Sequence, residues 1–306
     1  VWHCKFYFCA SMNQEVLVSK PNPLILKLSD YAQLGKMRLA SLVVFSAAMA
    51  YLTAPGEINW IGFFWLILGG VLTTASANSF NQVIERDLDK LMERTMQRPI
   101  PDNRMSAQEA LLFGIVTGLV GVFLLTYFLN ISSGILGLLS IILYTIAYTP
   151  MKRRSPFAVF IGAIPGAIPP LLGWVAATNN FGLGAWLLFS IQFLWQFPHF
   201  WSIAWVLDDD YKKAGFKMLP TGKRDKDSAF QVLLYTFSLL PLAFMPYIFG
   251  ITGYLSSFII GAVSLYFLYL AFQLFIKCDI PSARKLMFGS FIYLPVVQLA
   301  MVFDKL

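Results

Sequence analysis

Nine apolar stretches take up most of the chain: 39–54, 58–76, 110–130, 134–150, 156–177, 184–206, 229–249, 252–275 and 286–303. A run of roughly 17–25 apolar residues is the length a helix needs to cross a ~30 Å hydrocarbon core, and only the first stretch is short for that. These runs are apolar all round, whereas strands of a membrane barrel alternate residue by residue, so they read as helices. Charged residues make up 13% of the chain against about 25% in soluble domains. That is too little polar surface to cover a globule, and lipid must do the covering. The expected fold is all-α: an integral membrane bundle of nine transmembrane helices forming one domain over 39–306. A cytoplasmic N-terminal segment, 1–38, precedes it.

Charge placement orients the bundle. The net charge is +7, which in a soluble protein would suggest a nucleic-acid partner, but here the positive charge is confined to one side. Twenty-two of the 23 Lys and Arg fall in the N-terminal segment and in alternate connections, leaving only Lys305 on the far side. The opposite connections, 54–58, 130–134, 177–184 and 249–253, are short and carry no positive charge. Positive-inside sidedness therefore puts the N-terminus in the cytoplasm and the C-terminus outside, and no nucleic-acid partner is expected. Cys4, Cys9 and Cys278 all fall on the cytoplasmic side, where disulfides rarely persist. With two His in the chain, a Cys/His metal cluster is not expected either. No cleavable signal peptide or mitochondrial transit peptide is evident. Residues 1–11 read poorly as structure, and Met12 offers a plausible start. The expected location is the plasma (inner) membrane of a bacterium.

Two long polar connections, about 77–109 and 207–228, lie on the cytoplasmic side. They are four helices apart, which suggests a four-plus-four arrangement with a ninth helix added. The second apolar stretch continues as Asn78-Ser79-Phe80-Asn81-Gln82-Val83-Ile84-Glu85-Arg86-Asp87-Leu88-Asp89. Asn81, Glu85 and Asp89 are spaced i, i+4, i+8, so on a helix they share one stripe, which Asn78 joins. Three oxygen-bearing side chains in a column form a hard-ligand ladder suited to Mg²⁺, which binds through one or two carboxylates plus substrate phosphates. The plainer reading is a solvated helix end laced with i,i+4 ion pairs. Here Glu85–Asp89 and Arg86–Lys90 are like-charge pairs, which argues against it. Pro99 and Pro101 turn the chain back, which could carry Arg94 and Arg98 over the ladder for bidentate binding of phosphate.

The second connection opens with Asp208-Asp209-Asp210-Tyr211-Lys212-Lys213. Three successive carboxylates repel one another unless cations offset them. A second metal-binding cluster facing the first would account for them, with Asp209 and Asp210 as ligands; Asp208 fits a charged helix end as well. Lys212 or Lys213 could hold phosphates, and Lys213 joins the candidate catalytic set. On the same side, Tyr148 and Lys152 could pair a ring and a cation beside a leaving phosphate, though positive-inside topology alone would also place Lys152, Arg153 and Arg154 there. His199 lies about three turns inside the membrane from Asp210. A lone His in an apolar helix is more often a hydrogen-bonded core residue than a ligand, but one at this depth is a candidate for proton transfer or substrate contact.

Taken together these stretches resemble the UbiA-type intramembrane prenyltransferases, and within that superfamily the branch that farnesylates heme. The matching residues are Asn78-Ser79-Phe80-Asn81-Gln82 through Glu85, Asp89, Arg94-Thr95 and Arg98-Pro99; Tyr148-Thr149 through Lys152-Arg153-Arg154; Ile161-Gly162-Ala163, Gly166-Ala167-Ile168-Pro169-Pro170 and Gly173-Trp174; Trp195-Gln196-Phe197-Pro198-His199-Phe200-Trp201; and Asp210-Tyr211, Ala214-Gly215 and Met218-Leu219-Pro220. They cover roughly 35–220 in order. The chain departs from the superfamily in carrying Glu85 where Asp is usual, as the heme-directed branch does. It also lacks a pair of Asp spaced by four in the second cluster, since Val206 and Ala214 flank Asp210 at that distance.

The resemblance implies transfer of a farnesyl group from farnesyl diphosphate to a vinyl group of heme B, with water adding to that vinyl group, giving heme O and diphosphate. It fits Mg²⁺ on Asn81, Glu85, Asp89 and Asp210, and fixed positive charge for the phosphates at Arg94, Arg98 and Lys152; Asp209 and Lys213 remain candidates from the second cluster alone. Asn78, Arg153 and His199 would contact substrate, and a downstream heme-modifying enzyme is a conceivable partner. The alternatives are a prenyltransferase acting on an aromatic or quinone precursor such as 4-hydroxybenzoate, a cation-coupled transporter, and a non-catalytic heme carrier. The Asp and Glu residues gather at one end of the bundle instead of at span centres, which counts against transport.

Overall fold

The computed structural model describes residues 23–306 and is helical, with no strands among the described residues. Cys4, Cys9, Lys5 and Lys20 lie outside the described residues, as does most of the 1–38 segment. In chain order the helices are α1 (Pro23–Leu34), α2 (Met37–Thr53), α3 (Trp60–Asp89), α4 (Ala107–Phe128), α5 (Ile131–Ile142), α6 (Thr149–Arg154), α7 (Ala158–Thr178), α8 (Leu183–Val206), α9 (Asp208–Lys213), α10 (Lys226–Phe237), α11 (Leu239–Ile248), α12 (Tyr254–Lys277) and α13 (Ile280–Phe303). A π-helical segment, Leu143–Tyr148, joins α5 to α6.

Among the described residues, seven helical spans are long and apolar enough to cross a membrane, or eight if α1 and α2, bent by 51°, form one. This differs from the nine expected in two places. The first stretch belongs to the bent pair. Helix α8 has a span's length, but Gln192, Gln196, Pro198 and His199 interrupt its apolar run and lower its hydropathy.

The most enclosed span, α7, packs against α8, α2 and α5. It contains Pro165, Pro169 and Pro170. Pro170 has no N–H to give the Gly166 carbonyl one turn earlier, so that acceptor is left open. Gln192 Nε2 (2.7 Å) and Gln196 Nε2 (3.0 Å) of α8 donate to it instead. A Cβ at residue 166 would come within 2.7 Å of the Gln196 amide, so glycine is what allows this approach. Gln298 of α13 extends the chain to Gln192, 3.1 Å away. Buried amides thus fix the register of the central helices in a medium that supplies no water to satisfy them.

The two ends of the bundle differ. At the end holding the C-terminus, Lys305 Nζ donates to the carbonyls of Leu52 (2.9 Å) and Ala54 (3.2 Å), and Asp304 accepts from the Ser256 amide (2.6 Å). At the opposite end α3 projects as a 30-residue helix, well past the length that crosses a bilayer. The connections 90–106, 149–157 and 207–225 gather around its tip.

Candidate active site at the tip of α3

Asn81, Glu85 and Asp89 are 1%, 4% and 0% exposed, so the predicted stripe faces inward. Each is held by a cation from a different part of the chain. Lys36, at the break between α1 and α2, reaches Asn81 Oδ1 (3.0 Å). Lys152 of α6 pairs with Glu85 (2.8 Å), and Arg98, in the turns after α3, pairs with Asp89 Oδ2 (2.6 Å). The Asn81 amide is oriented by chemistry: an ammonium can only donate, so Oδ1 faces Lys36 while Nδ2 donates to Thr149 Oγ1 (3.2 Å). Asp89 Oδ1 is buried with no hydrogen-bond partner, an orphan lone pair beside two further oxygen donors.

The basic side of this ring is built from local irregularities. Pro150 lacks an N–H, and the preceding turn widens to a π-helix, a feature frequent at functional sites. The Thr149 hydroxyl caps the Tyr144 carbonyl (2.8 Å) within it. Lys152 Nζ lies 4.7 Å from the centre of the Tyr148 ring and 5.6 Å from that of Phe216, so the anticipated ring–cation pair forms. The buried Tyr148 ring lies against α7 at Gly162, where a Cβ would approach it to 2.6 Å. Lys36 has φ +50° and ψ 54°. The left-handed region costs a residue with a Cβ about 1–2 kcal/mol, and such strain clusters at functional sites.

The second acidic cluster divides. Asp210 accepts hydrogen bonds from the amides of Glu93 (3.0 Å) and Arg94 (3.5 Å), and Lys213 bridges Glu93 (2.6 Å) and Asp210 (3.5 Å). The connections after α3 and after α8 therefore meet, as the sequence anticipated, through backbone amides. Burial pushes the Asp210 carboxyl up, but the two amides and Lys213 outweigh it and hold its pKa below the ordinary value. Its hydrogen bond to Glu93 raises that of Lys213. Asp209 is not brought to the ladder. Its side chain is 75% exposed and meets both terminal nitrogens of Arg224 at 3.0 Å, because successive residues of the short helix α9 point about 100° apart. Asp208 is the buried member, next to Lys212 and Arg224.

Four other expected residues sit off the ring. Arg94 is exposed, 5.9 Å from the Tyr211 ring, and only Arg98 folds back onto the ladder. Arg153 is exposed on the outer face of α6. Asn78 donates to the Gly35 carbonyl (3.0 Å) and holds the α1–α2 break. His199 Nδ1 meets Ser290 Oγ of α13 (2.8 Å), and its ring stacks on Trp195.

A model of the UbiA prenyltransferase family matches residues 41–294. The chain belongs to that family. Among curated relatives of this UbiA prenyltransferase is the protoheme IX farnesyltransferase of Cytophaga hutchinsonii, 47% identical over 278 residues, which are 90% of this chain and 97% of that one. The protoheme IX farnesyltransferase of Christiangramia forsetii is 45% identical over 93% of this chain and 96% of its own. That of Flavobacterium psychrophilum is 44% identical over 90% and 94%. A solved structure of digeranylgeranylglyceryl phosphate synthase superposes with a TM-score of 0.76 at 20% identity, covering 91% of this chain and 98% of that one. A UbiA homologue from Archaeoglobus fulgidus bound to GPP and Mg²⁺ gives 0.63 at 14% identity, covering 89% and 99%. At these identities the structural likeness establishes the fold alone.

Among the described residues, no three His, Cys, Asp or Glu side chains converge closely enough to hold a metal ion. The ladder offers two carboxylates and an amide oxygen, a donor set for a hard cation that completes its shell with phosphate oxygens. The orphan Asp89 Oδ1 fits that use.

Sequence reasoning about the UbiA site missed Lys36 and Thr149 as parts of the ring and Glu93 as the partner of Lys213. Lys36 stands three residues before the first apolar stretch, where it served only as evidence of sidedness. A helix break gives no periodicity signal, although Gly35 beside it was a legible breaker.

Proposed function

We propose that this prenyltransferase transfers the farnesyl group of farnesyl diphosphate to a vinyl group of heme B: the allylic C–O bond breaks, farnesyl bonds to the terminal vinyl carbon, and water adds its hydroxyl to the inner one and releases a proton, giving heme O and diphosphate. The observation that carries the diphosphate half is the ring itself: three basic side chains from three separate segments converge on the three ladder side chains, and Asp89 keeps its second oxygen buried without a partner. The ring sets three basic side chains against two carboxylates, a match for a Mg²⁺–diphosphate complex that still bears negative charge. The heme half is supported by the named relatives at 44–47% identity.

Asn81, Glu85 and Asp89 would hold Mg²⁺ jointly with the diphosphate oxygens. Bound there, the ion supplies Lewis-acid neutralisation of the leaving group. Lys36, Arg98 and Lys152 pass from ladder oxygens to phosphate oxygens as substrate enters, so fixed positive charge lies where negative charge develops as the allylic C–O bond breaks. The Tyr148 ring screens Lys152 and borders the path of the farnesyl chain. Arg94 and Lys213 line the outer rim, and Asp210 positions that rim through the Glu93 and Arg94 amides. His199, with Nδ1 engaged by Ser290, presents Nε2 to the porphyrin, and Arg153 faces the propionates. A downstream heme-modifying enzyme in the same membrane would take up the product.

The bundle crosses the plasma membrane of a bacterium nine times, counting the bent α1–α2 pair and α8, with the ring in the cytoplasm. A cysteine introduced at Asn180 would be labelled by an impermeant maleimide only from outside, and one at Lys223 only from inside. The reverse pattern refutes this orientation.

The reaction is tested by incubating membranes that contain the protein with heme B, farnesyl diphosphate and Mg²⁺ and measuring heme O. Absence of farnesylated heme, together with prenylation of 4-hydroxybenzoate, would move the enzyme to the aromatic-acceptor class.

A further inference from the structure

Helix α3 carries a second stripe one step round from the ladder. Asn78 and Gln82, spaced i, i+4, point at the α1–α2 break and take over the carbonyls that the end of α1 leaves open. Asn78 Nδ2 donates to Gly35 O (3.0 Å). Gln82 Nε2 donates to Leu34 O (2.7 Å) and, at 3.4 Å, to Gln33 O. The Leu34 and Gly35 carbonyls are acceptors the helix C-terminus leaves open, while Gln33 O also accepts from the Lys36 amide (3.1 Å), so two side-chain amides do much of what a C-capping motif would do. Both amides are buried, and Gln82 Oε1 is left with no partner. The orientation of Gln82 is therefore dictated by the carbonyls it serves. Gly35 lets the break sit against α3, with Ala75 Cβ only 3.2 Å from where its own Cβ would be.

The residue presented by this bracket is Lys36, in a left-handed conformation that a glycine would hold without strain. The chain places a strained lysine there, and its ammonium reaches Asn81 one turn along the same α3 helix. We infer that Asn78 and Gln82 are positioning residues: they clamp the α1–α2 break so that Lys36 is fixed over the Asn81–Glu85–Asp89 ladder before diphosphate arrives. This inference rests on the diphosphate reading of the ring. It also gives Asn78 a role different from substrate contact, since its amide is committed to backbone.

A double-mutant cycle read by farnesyl diphosphate binding in the absence of heme separates this from a purely structural role. Lys36→Ala is expected to weaken binding more than tenfold, and Gln82→Met about tenfold. The double variant should bind no more weakly than Lys36→Ala alone, because Gln82 acts through Lys36. An additive cycle overturns the bracket and leaves the diphosphate reading intact. Wild-type affinity in Lys36→Ala overturns the diphosphate reading and the bracket with it. A further pair of variants leaves both amides in place: Lys36→Gly and Lys36→Ala lose the same ammonium, so they should bind equally weakly, but Lys36→Gly should melt at the higher temperature because only alanine keeps the strain. Equal or reversed melting temperatures would mean that the break is not strained, and the inference falls.

Discussion

Deleting Arg98 should destabilise the protein much more than neutralising its partner, and Mg²⁺ should reverse part of the loss. The Arg98–Asp89 pair is asymmetric. The Asp89 side chain is fully buried and keeps one oxygen without a partner, while the Arg98 side chain is 17% exposed and at the edge of the ring. Arg98→Ala leaves a buried carboxylate with neither cation nor water, at a cost of about 3–5 kcal/mol. At roughly 2 °C per kcal/mol for a chain of this size, the melting temperature in detergent should fall by about 6–10 °C. Asp89→Asn leaves a guanidinium that can turn to solvent, and should cost about 1 kcal/mol, or about 2 °C. If the ladder is a hard-cation site, removing Arg98 frees Asp89 for the ion. Mg²⁺ in about tenfold excess over its Kd would then restore about 1.4 kcal/mol to Arg98→Ala, a rise of roughly 3 °C. The Arg98→Ala/Asp89→Asn double variant should show no such rise. Differential scanning fluorimetry with and without Mg²⁺ reads all of these. The reasoning is refuted if Arg98→Ala melts with wild type, or if Mg²⁺ shifts it no further than it shifts the double variant.

Lys152→Met should reduce heme O formation more than a hundredfold and destabilise the protein by about 3–5 kcal/mol, because it strands Glu85 in the interior. Adding Glu85→Gln should restore the stability but not the product; a double variant with restored activity would exclude Lys152 from the phosphate site. Asp210 has a pKa held below its ordinary value of 3.8, so its clamp on the Glu93 and Arg94 amides is fully present above that pH and is lost as pH falls through the lower folded value. Acid titration of the melting temperature should therefore be flat through neutral pH for this contact and steepen only below about pH 4. Asp210→Asn should lose that share of the acid limb and about 1–2 kcal/mol at neutral pH; an unchanged acid limb would refute it.

How far the site could be read beforehand followed from what periodicity can and cannot encode. The stripe of Asn81, Glu85 and Asp89 is a statement about one continuous helix, and 3.6 residues per turn makes it legible from spacing alone. Lys152 over Tyr148 is also an i, i+4 relation, and it too was legible, although a π turn ends at its first member. The bounds of the apolar stretches agree with the helices to within a few residues except in two places: α3 runs on past 76 to Asp89, where the polar ladder continues it, and α13 begins six residues earlier than expected, at Ile280. What could not be read was which face of a short segment turns inward. Asp208, Asp209 and Asp210 are chemically identical neighbours on a helix of six residues, and only the packing of α9 against the turns after α3 sorts one onto backbone amides, one into the interior and one outward. Lys36 was illegible for a related reason: its position depends on a break whose geometry is set by Asn78 and Gln82, more than 40 residues later in the chain.

These failures share a physical cause that bears on function. The acidic side of the ring is written into one rigid helix. The basic side is assembled from a strained helix break, a proline-terminated π turn and a turn-rich connection, each held by contacts distant in sequence. Cations carried on three independent segments can move from ladder oxygens to phosphate oxygens one at a time, whereas cations on a single helix would have to move together. An enzyme that must cradle a Mg²⁺–diphosphate group tightly during bond breaking, and then release the free diphosphate, gains from having its anionic half fixed and its cationic half jointed.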